Sequence, residues 1–206
     1  MTGIVFGIII LLISIVLHEV AHGYAADSMG DPTARLAGRL TLNPIAHLDL
    51  VGSVIVPFMT VVFGSALFGG AFVFGWAKPV PFNPYNLSNK RWGEALVAAA
   101  GPGVNLLLAL CAGLALRFGL GGEVLLPFLA YVVIINIVLA LFNLVPIPPL
   151  DGSKILFSIL PYHAVRIRDM LAQYGLVLVL IFVLFFWQLL HPLVNLLFWL
   201  FTGQSF

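Results

Sequence analysis

The chain has 206 residues, of which 62% are hydrophobic and 8% are charged, and its formal net charge is +1. A soluble domain has about 25% charged residues, so this composition predicts an integral membrane protein whose surroundings are the lipid bilayer. The balanced charge argues against nucleic acid as a partner. Cys111 is the single cysteine, which argues against a disulfide framework or a thiolate metal site within one chain.

The first predicted helix runs from about Thr2 to Tyr24, long enough for a hydrocarbon core of about 30 Å. It lacks a basic leader region and a small-residue cleavage site, so we expect it to be retained. Between Ile4 and Leu17 its only polar side chain is Ser14. The sequence His18-Glu19-Val20-Ala21-His22 follows directly. Ionisable groups at bilayer depth are expected to be functional.

The spacing within this motif predicts a metal site. Residues four apart share one face of an α-helix, so His18 and His22 can bind the same ion. Glu19 lies about 100° round the helix from His18, where it can serve as a catalytic base without being a ligand. This is the zinc-peptidase arrangement, and the alternative, a chance H-E-x-x-H sequence, is rare in a chain of this length.

A polar stretch and a glycine-interrupted apolar stretch follow the first helix. The polar stretch Asp31 to Leu50 is predicted to be a loop with short extended pieces such as Ala37 to Leu42. His47 is the loop residue that could join the site, although a loop histidine is more often solvated or hydrogen-bonded. The apolar, glycine-interrupted stretch Val51 to Trp76 is either a spanning helix or a re-entrant hairpin bent at Phe63 to Gly70.

The remaining elements complete an all-α polytopic membrane protein, with about four to five spanning helices, the glycine-rich re-entrant segment and short extended loops. Ala77 to Asn89 contains three prolines and is predicted to be extended. Further predicted elements are spans at Glu94 to Arg117 and Val124 to Leu144, a short helix at Ser153 to Leu160, and an apolar stretch at Leu171 to Phe201 that Pro192 should kink or break. We expect one membrane-embedded domain over residues 1–206, with its core at 1–160 and C-terminal helices at 171–203.

The distribution of positive charge favours the re-entrant form of residues 51–76. In that form only Arg117 lies on the opposite side from the other loop cations, which are Arg35, Arg39, Lys78, Lys90, Arg91, Lys154, Arg166 and Arg168. By the positive-inside rule, these loops are then cytoplasmic and the N-terminus is outside. A full span would remove the bias and would separate Asp151 from the end of the first helix.

A catalytic zinc needs a third protein ligand and an open position. The candidates are Asp151, Glu94, Glu123 and His191. Asp151 is favoured because it follows a proline-rich break at the membrane edge and precedes Gly152, which permits a close approach of the backbone. The alternative role for Asp151 is to cap the helix predicted from Ser153.

These motifs together resemble the site-2 protease family of intramembrane zinc metalloproteases. The resemblance is carried by His18-Glu19-x-x-His22 and by Asn143-x-x-Pro146-x-Pro148-x-x-Asp151-Gly152. Gly101-Pro102-x-x-Asn105 is similar to a further motif of the family. The match extends from His18 to about Leu160 and resembles a compact prokaryotic branch, so we expect neither a PDZ nor a CBS domain.

The resemblance implies Zn²⁺ held by His18, His22 and Asp151, with Glu19 as the general base. Asn143 would contact the substrate backbone or the oxyanion, and Asn105 and His47 are further candidates for the substrate site. The implied reaction is cleavage of a membrane protein within its transmembrane segment, near the cytoplasmic side of a prokaryotic cell membrane. The extended segment Lys78 to Asn83 offers an edge on which a substrate peptide could pair.

A membrane zinc transporter is the alternative function, because intramembrane histidines and carboxylates also bind ions in order to move them. Glu19 distinguishes the two functions. A transporter would use this residue as a ligand or proton relay, whereas a protease would use it as a base that does not bind the metal. An inactive scaffold is a third alternative, which the intact motif disfavours.

Overall fold

The computed structural model describes residues 2–56, 77–161 and 165–205. Within these residues the chain forms α-helices and short helical turns and contains no strand. The α-helices are α1 Thr2–Ser28, α2 Thr33–Leu36, α3 Gly93–Arg117, α4 Gly122–Asn143, α5 Asp151–Ile159, α6 Val165–Ile181 and α7 His191–Thr202. The short 3-10 or π turns are Pro44–His47, Leu50–Ile55, Pro84–Asn86, Phe182–Phe186 and Trp187–Leu190.

Four helical segments in the described part of the chain are long and apolar enough to cross a membrane, and each has at least 20 residues. They are Val5–Ser28, Gly93–Arg117, Val124–Asn143 and Arg166–Phe186, and a shorter apolar helical segment follows at Gln188–Thr202. At about 1.5 Å per residue, 20 residues span about 30 Å, the thickness of the hydrocarbon core. The predicted all-α polytopic membrane fold is therefore confirmed.

Helices α1, α3 and α4 form the bundle that positions the site. The amide of Ser88, shortly before α3, donates to the carbonyl of Met29, just after α1, at 2.8 Å. The loop between these helices therefore starts and returns at one end of the bundle, and α3 runs antiparallel to α1. Helix α4 returns to the same end, which brings Asp151 to the end at which α1 stops. This is the placement that the re-entrant topology requires, although residues 57–76, including the predicted bend, lie outside the described residues.

Small side chains let α3 pack closely against its neighbours. Ala98 and Ala109 are fully buried on this helix, and a methyl group added at Gly113 would lie 2.7 Å from Cβ of Phe201 in α7. Membrane helices associate largely through such small-residue contacts, because lipid chains are as apolar as the helix surfaces. A core of buried residues joins α3, α4 and α7 and contains Ala109, Ala112, Val133, Ile137, Val194 and Phe198.

The break in the C-terminal apolar stretch lies before Pro192, not at it. Helix α6 gives way to the turns Phe182–Phe186 and Trp187–Leu190, and Pro192 is the second residue of α7. A proline is tolerated in the first turn of a helix because the N–H that it lacks would have no intrahelical partner there. The prediction of a break was correct, but Pro192 begins the new helix and does not interrupt an existing one.

Candidate metal centre and active site

His18, His22 and Asp151 converge at one point in the bundle. The three residues are 6%, 8% and 6% exposed, respectively. Oδ2 of Asp151 lies 3.1 Å from Nε2 of His18 and 3.1 Å from Nε2 of His22. Two ligand atoms bound to one tetrahedral zinc at about 2.0–2.1 Å lie about 3.3 Å apart. Among the described residues this is the only group of three potential ligands close enough to share an ion.

The other ring nitrogens indicate why this cluster suits a cation. Nδ1 of His22 donates to the carbonyl of Val97 at 2.7 Å, and Nδ1 of His18 donates to Oδ1 of Asn105 at 2.8 Å. In a neutral imidazole with a proton on Nδ1, Nε2 carries a lone pair. Two lone pairs and a carboxylate oxygen therefore face one another in a buried space. Such an arrangement fits a divalent metal ion, and it matches the neutral histidines that zinc requires.

Gly101 provides the room for this cluster on the opposing helix. A Cβ atom at this position would lie 2.5 Å from Nε2 of His22 and 2.6 Å from Nε2 of His18. These distances are shorter than any normal contact, so a residue larger than glycine would displace the imidazoles. The glycine of the Gly101-Pro102-x-x-Asn105 motif thus has a steric explanation at the site.

Asp151 is positioned by a tight connection between α4 and α5. Gly152 lies against the end of α4, where an added Cβ atom would be 2.2 Å from the carbonyl oxygen of Leu144. Leu150 is the cap residue of α5, and no side-chain hydrogen bond caps that helix. Helix α5 therefore begins two residues earlier than predicted, and the Asp151 side chain faces the histidines without acting as a cap.

The environment of Asp151 favours its ionised form. Lys154 approaches the other carboxylate oxygen, with its Nζ 3.4 Å from Oδ1. Asp151 also lies in the first turn of α5, where the helix dipole favours a negative charge. An anionic carboxylate is the state in which this residue can bind a metal.

Glu19 lies outside the three-residue cluster and has a different partner. Its side chain is partly buried, and Oε2 accepts a hydrogen bond from the amide of Val80 at 2.8 Å. Val80 is buried and only 6% exposed. It packs against α1 at Gly23, where an added Cβ atom would lie 3.0 Å from Cγ1 of Val80. The carboxylate is therefore oriented by the backbone of a segment distant in sequence.

The segment that holds Glu19 is extended and is fixed at several points. The amide of Lys78 donates to the carbonyl of His47 at 2.9 Å, and Nη2 of Arg39 donates to the carbonyl of Lys78 at 2.8 Å. At its other end, the amide of Asn83 donates to Oδ2 of Asp31 at 2.5 Å. Loop side chains and carbonyls hold this segment, so its extended form does not depend on a hydrogen-bonded strand partner.

Asp31 is the anchor at the far end of this segment and is 0% exposed. Its carboxylate accepts hydrogen bonds from the Thr33 hydroxyl, the Asn83 amide and the Asn86 side chain. Burial, the largest influence, would raise the pKa of Asp31, but the hydrogen bonds from Thr33, Asn83 and Asn86 outweigh it and lower the pKa from its ordinary value. The folded chain therefore favours the charged form of Asp31.

The three candidate substrate-binding residues lie in different surroundings. Asn143 is half-buried at the end of α4, and its Nδ2 donates to the carbonyl of Leu139 at 2.9 Å. Asn105 is fully buried and its Oδ1 accepts from His18. His47 is 2% exposed, and its Nε2 donates to the carbonyl of Thr41 at 2.8 Å. Asn105 and His47 thus support neighbouring parts of the site from within the protein.

Of the alternatives for the third ligand, Glu94 and His191 are not brought to the histidines, and the side chain of Glu123 is not among those that the structure describes. Glu94 and His191 belong to no group of three potential ligands among the described residues. Two polar residues lie behind the cluster, Ser14 and Asn136, which are 3% and 0% exposed. Ser14 was noted in the sequence without a role, and Asn136 was missed. The signal for Asn136 was its place as an amide within an otherwise apolar span, seven residues before Asn143 and hence on about the same helix face.

The sequence matches peptidase family M50 over residues 6–125 and 120–186. This chain belongs to peptidase family M50. The match confirms the resemblance to the site-2 proteases and the predicted enzyme class, a zinc metalloprotease with Zn²⁺ as its cofactor. The spanning helices make this M50 member a multi-pass membrane protein.

Several bacterial proteins are similar to this M50 chain. One is YwhC of Bacillus subtilis (strain 168), named as a candidate zinc metalloprotease, which is 39% identical over 184 residues that cover 84% of this chain and 78% of YwhC. Another is Rip2 of Mycobacterium tuberculosis (strain ATCC 25618 / H37Rv), named in the same way, with 31% identity over 82% of this chain and 63% of Rip2. No solved structure matches the chain.

Proposed function

We propose that this M50 protein is an intramembrane endopeptidase that hydrolyses a peptide bond in or near the transmembrane segment of a membrane protein. The observation that carries the proposal is the burial of His18, His22 and Asp151 against the helices α1 and α3, both long and apolar enough to span the bilayer. A substrate peptide must approach this cluster from the membrane or its edge. A transmembrane segment is the substrate that such a location suits.

In this proposal His18, His22 and Asp151 hold the zinc. When bound there, zinc polarises the scissile carbonyl and makes water more acidic. The three protein ligands, with no fourth in the described cluster, match the pattern of catalytic sites, which keep one position open.

Glu19 is proposed as the general base. The hydrogen bond from the Val80 amide occupies Oε2, which leaves Oε1 to take a proton from the attacking water and to pass it to the leaving amine nitrogen. The same hydrogen bond fixes the side-chain orientation, because the donor belongs to the tethered segment Lys78–Asn83. The position of Glu19 next to the proposed ligand His18 in sequence, but outside the ligand group, supports its role as the base.

The polar residues around the cluster receive distinct roles. Asn143, at the end of α4 just before the turn that leads to Asp151, is proposed to contact the substrate backbone or the developing oxyanion. Asn105 is proposed to orient His18 through the Nδ1 hydrogen bond, a common arrangement for metal-binding histidines. His47 is proposed to act through its carbonyl, which holds Lys78 and so the segment beside Glu19.

The substrate peptide is proposed to pair along the outer edge of Lys78–Asn83. The amides of Lys78 and Val80 are already used within the protein, and Pro79 and Pro81 have no N–H to offer. Arg39 already donates to the carbonyls of Lys78 and Pro79, so the acceptors proposed for the substrate are the carbonyls from Val80 to Phe82, and a paired substrate strand would supply the donors. An unwound, extended substrate satisfies this condition better than an intact helix, whose amides are bonded internally.

The active site is proposed to open towards the cytoplasm of a prokaryotic cell. The end of the bundle that carries the cluster also carries most of the loop cations, namely Arg35, Arg39, Lys78, Lys90, Arg91 and Lys154, whereas Arg117 lies at the other end. The positive-inside rule assigns the cation-rich end to the cytoplasm.

The test of this function is cleavage of a panel of single-span membrane proteins in liposomes loaded with zinc, with the cleavage position read by mass spectrometry. The proposal expects cuts within or next to the transmembrane segment by the wild type and none by Asp151→Ala. Cuts confined to water-soluble regions would contradict the intramembrane assignment. Zinc flux across the liposome membrane without any cleavage would favour the transporter alternative.

A further inference from the structure

A chain of buried hydrogen bonds extends from His18 across three membrane helices. Oδ1 of Asn105 accepts from Nδ1 of His18 at 2.8 Å, and Nδ2 of Asn105 donates to Oδ1 of Asn136 at 3.0 Å. Nδ2 of Asn136 then donates to the Ser14 hydroxyl and to the carbonyl of Val132, both at 2.9 Å. Ser14, Asn105 and Asn136 are between 0% and 3% exposed.

The direction of every bond in this chain is set at its far end. The carbonyl of Val132 can only accept, so Asn136 must turn its NH₂ group towards it. Oδ1 of Asn136 is then the atom that faces Asn105, and Asn105 must present its own NH₂ group. The remaining oxygen of Asn105 faces His18, which can satisfy it only with a proton on Nδ1.

We infer that Asn136 is a positioning residue for the metal centre: it fixes the amide orientation of Asn105 and thereby keeps Nε2 of His18 free to bind the metal. The inference rests on the proposed role of His18 as a ligand. The hydrogen bonds of Asn136 in the described residues go to Asn105, Ser14 and the carbonyl of Val132 and not to the cluster itself, so we infer that it acts through Asn105.

Burial makes this control effective. An asparagine at a protein surface could turn its amide by half a rotation, because water would satisfy either orientation. Within a bilayer no water is present to satisfy an unpaired amide group, which is therefore unfavourable, so Asn105 takes the orientation that Asn136 satisfies. If the Asn136 oxygen is removed, Asn105 loses the partner that holds its NH₂ group away from His18. The reversed amide would place a donor against Nδ1 and move the imidazole proton to Nε2, the atom that must bind zinc.

The test compares substitutions at position 136 in purified full-length protein. Asn136→Leu and Asn136→Ala both remove the oxygen, and either serves if the other fails to fold. Asn136→Asp keeps an oxygen that faces Asn105. Val133→Ala is the matched packing control, because Val133 is also 0% exposed on α4 and belongs to the apolar core.

The first readout is zinc affinity, measured by competition with a chromophoric chelator. We expect Asn136→Leu and Asn136→Ala to bind zinc about tenfold more weakly, the low end of the effects of residues that support metal ligands. Asn136→Asp should bind close to the wild type. Val133→Ala should unfold at a lower temperature yet keep wild-type zinc affinity.

The second readout is the position of the imidazole proton, from nitrogen NMR of protein labelled with ¹⁵N-histidine and freed of metal. The wild type and Asn136→Asp should show His18 with a proton on Nδ1, whatever the state of Nε2 beside Asp151, and the variants without the oxygen should show a population that has lost the proton from Nδ1 and carries it on Nε2. Unchanged zinc affinity and an unchanged His18 signal in Asn136→Leu or Asn136→Ala would overturn the inference, as would equal losses in Asn136→Asp. A wild type that binds zinc but cleaves no protein would refute the proposed function. The effect of position 136 on zinc affinity and on the His18 proton could still be measured in that case.

Discussion

At the scale of single residues, the proposed site depends on a glycine at position 101 and on unprotonated Nε2 atoms in His18 and His22. Gly101 leaves the space that Nε2 of His18 and of His22 occupy, and the carbonyl of Val97 and the oxygen of Asn105 hold the protons on the other ring nitrogens. The metal centre is therefore built as much by α3, which supplies no ligand, as by α1.

The first prediction concerns Gly101. Gly101→Ala should remove most of the bound zinc, because the new methyl group would lie 2.5 Å from Nε2 of His22 and would force both imidazoles away. Gly103→Ala is the matched control two residues later on the same helix, where an added methyl group meets nothing within 4 Å. Metal analysis of the purified variants checks this, and full zinc content in Gly101→Ala would contradict the assigned position of the ion.

The residues of the proposed site could be recognised from the sequence, but the hydrogen-bond partners that position them could not. His18, Glu19 and His22 could be proposed from their spacing, and Asp151 from its place between a proline-rich break and Gly152. The supporting contacts could not be predicted, because they join positions between 31 and 122 residues apart: Val80 with Glu19, Asp31 with Asn83, and Asn136 with Asn105 and Ser14. For the same reason, the burial of Asn105 behind His18 was not visible in a motif that suggested substrate contact.

At the scale of elements, the extended segment Lys78–Asn83 matters because it orients Glu19. Prolines predicted its extended form, since they exclude a helix. Its anchors, Asp31 and Arg39, lie in the earlier loop and became evident only in the structure. A buried carboxylate that accepts backbone and side-chain hydrogen bonds should make the stability of this segment depend on pH.

The second prediction is that acid weakens this anchor. The pKa of Asp31 is lower in the folded chain than its ordinary value of 3.8, so its charge stabilises the fold above that value. The stabilisation is lost as the pH falls from 3.8 through the lower folded pKa. Thermal unfolding in detergent should show that Asp31→Asn lowers stability at neutral pH and flattens its decline in acid.

Asp27→Asn is the matched control for this experiment. Asp27 pairs with Arg35, whose side chain is 64% exposed, and exposed ion pairs contribute little to stability. This variant should therefore follow the wild type. An Asp31→Asn protein with the wild-type pH profile would show that Asp31 does not anchor the segment.

The bounds of α3 and α4 were predictable to within two residues, because long apolar runs bounded by charged or glycine-rich turns leave few alternatives. Helix α6 begins at Val165, six residues before the predicted Leu171, and the short helix α2 lies in a stretch predicted to be a loop. The error at Pro192 came from interpreting a proline as a break, when its position in the first turn of α7 makes it a favourable start. The early start of α5 at Asp151 reflects packing of Gly152 against α4, which no local pattern encodes.

At the scale of the whole molecule, three helix termini of the antiparallel bundle lie at the same end. The end of α1, the start of α3 and the end of α4 lie together, and the cluster is built there. The charge distribution predicted this arrangement without any structural information. The glycine-rich stretch that was predicted to be re-entrant remains a prediction, because residues 57–76 lie outside the described part.

The third prediction tests this topology. Single cysteines at positions 35 and 90, introduced after replacement of the exposed Cys111, should react with an impermeant reagent from the same side of sealed vesicles. A cysteine at position 118, just after α3, should react from the other side. Labelling of positions 35 and 90 from opposite sides would contradict the bundle as described.

The central claim is that Glu19 activates water at a zinc site that it does not help to build. Glu19→Gln keeps the shape of the side chain and an oxygen for the Val80 amide, but it cannot accept a proton at neutral pH. The decisive measurement is the zinc content of this variant together with its rate of cleavage of a single-span substrate. We expect near-stoichiometric zinc and cleavage at least about a hundredfold slower than the wild type, the low end of general-base contributions. Substantial cleavage with zinc bound would show that another group is the base, and loss of zinc would show that Glu19 is a ligand.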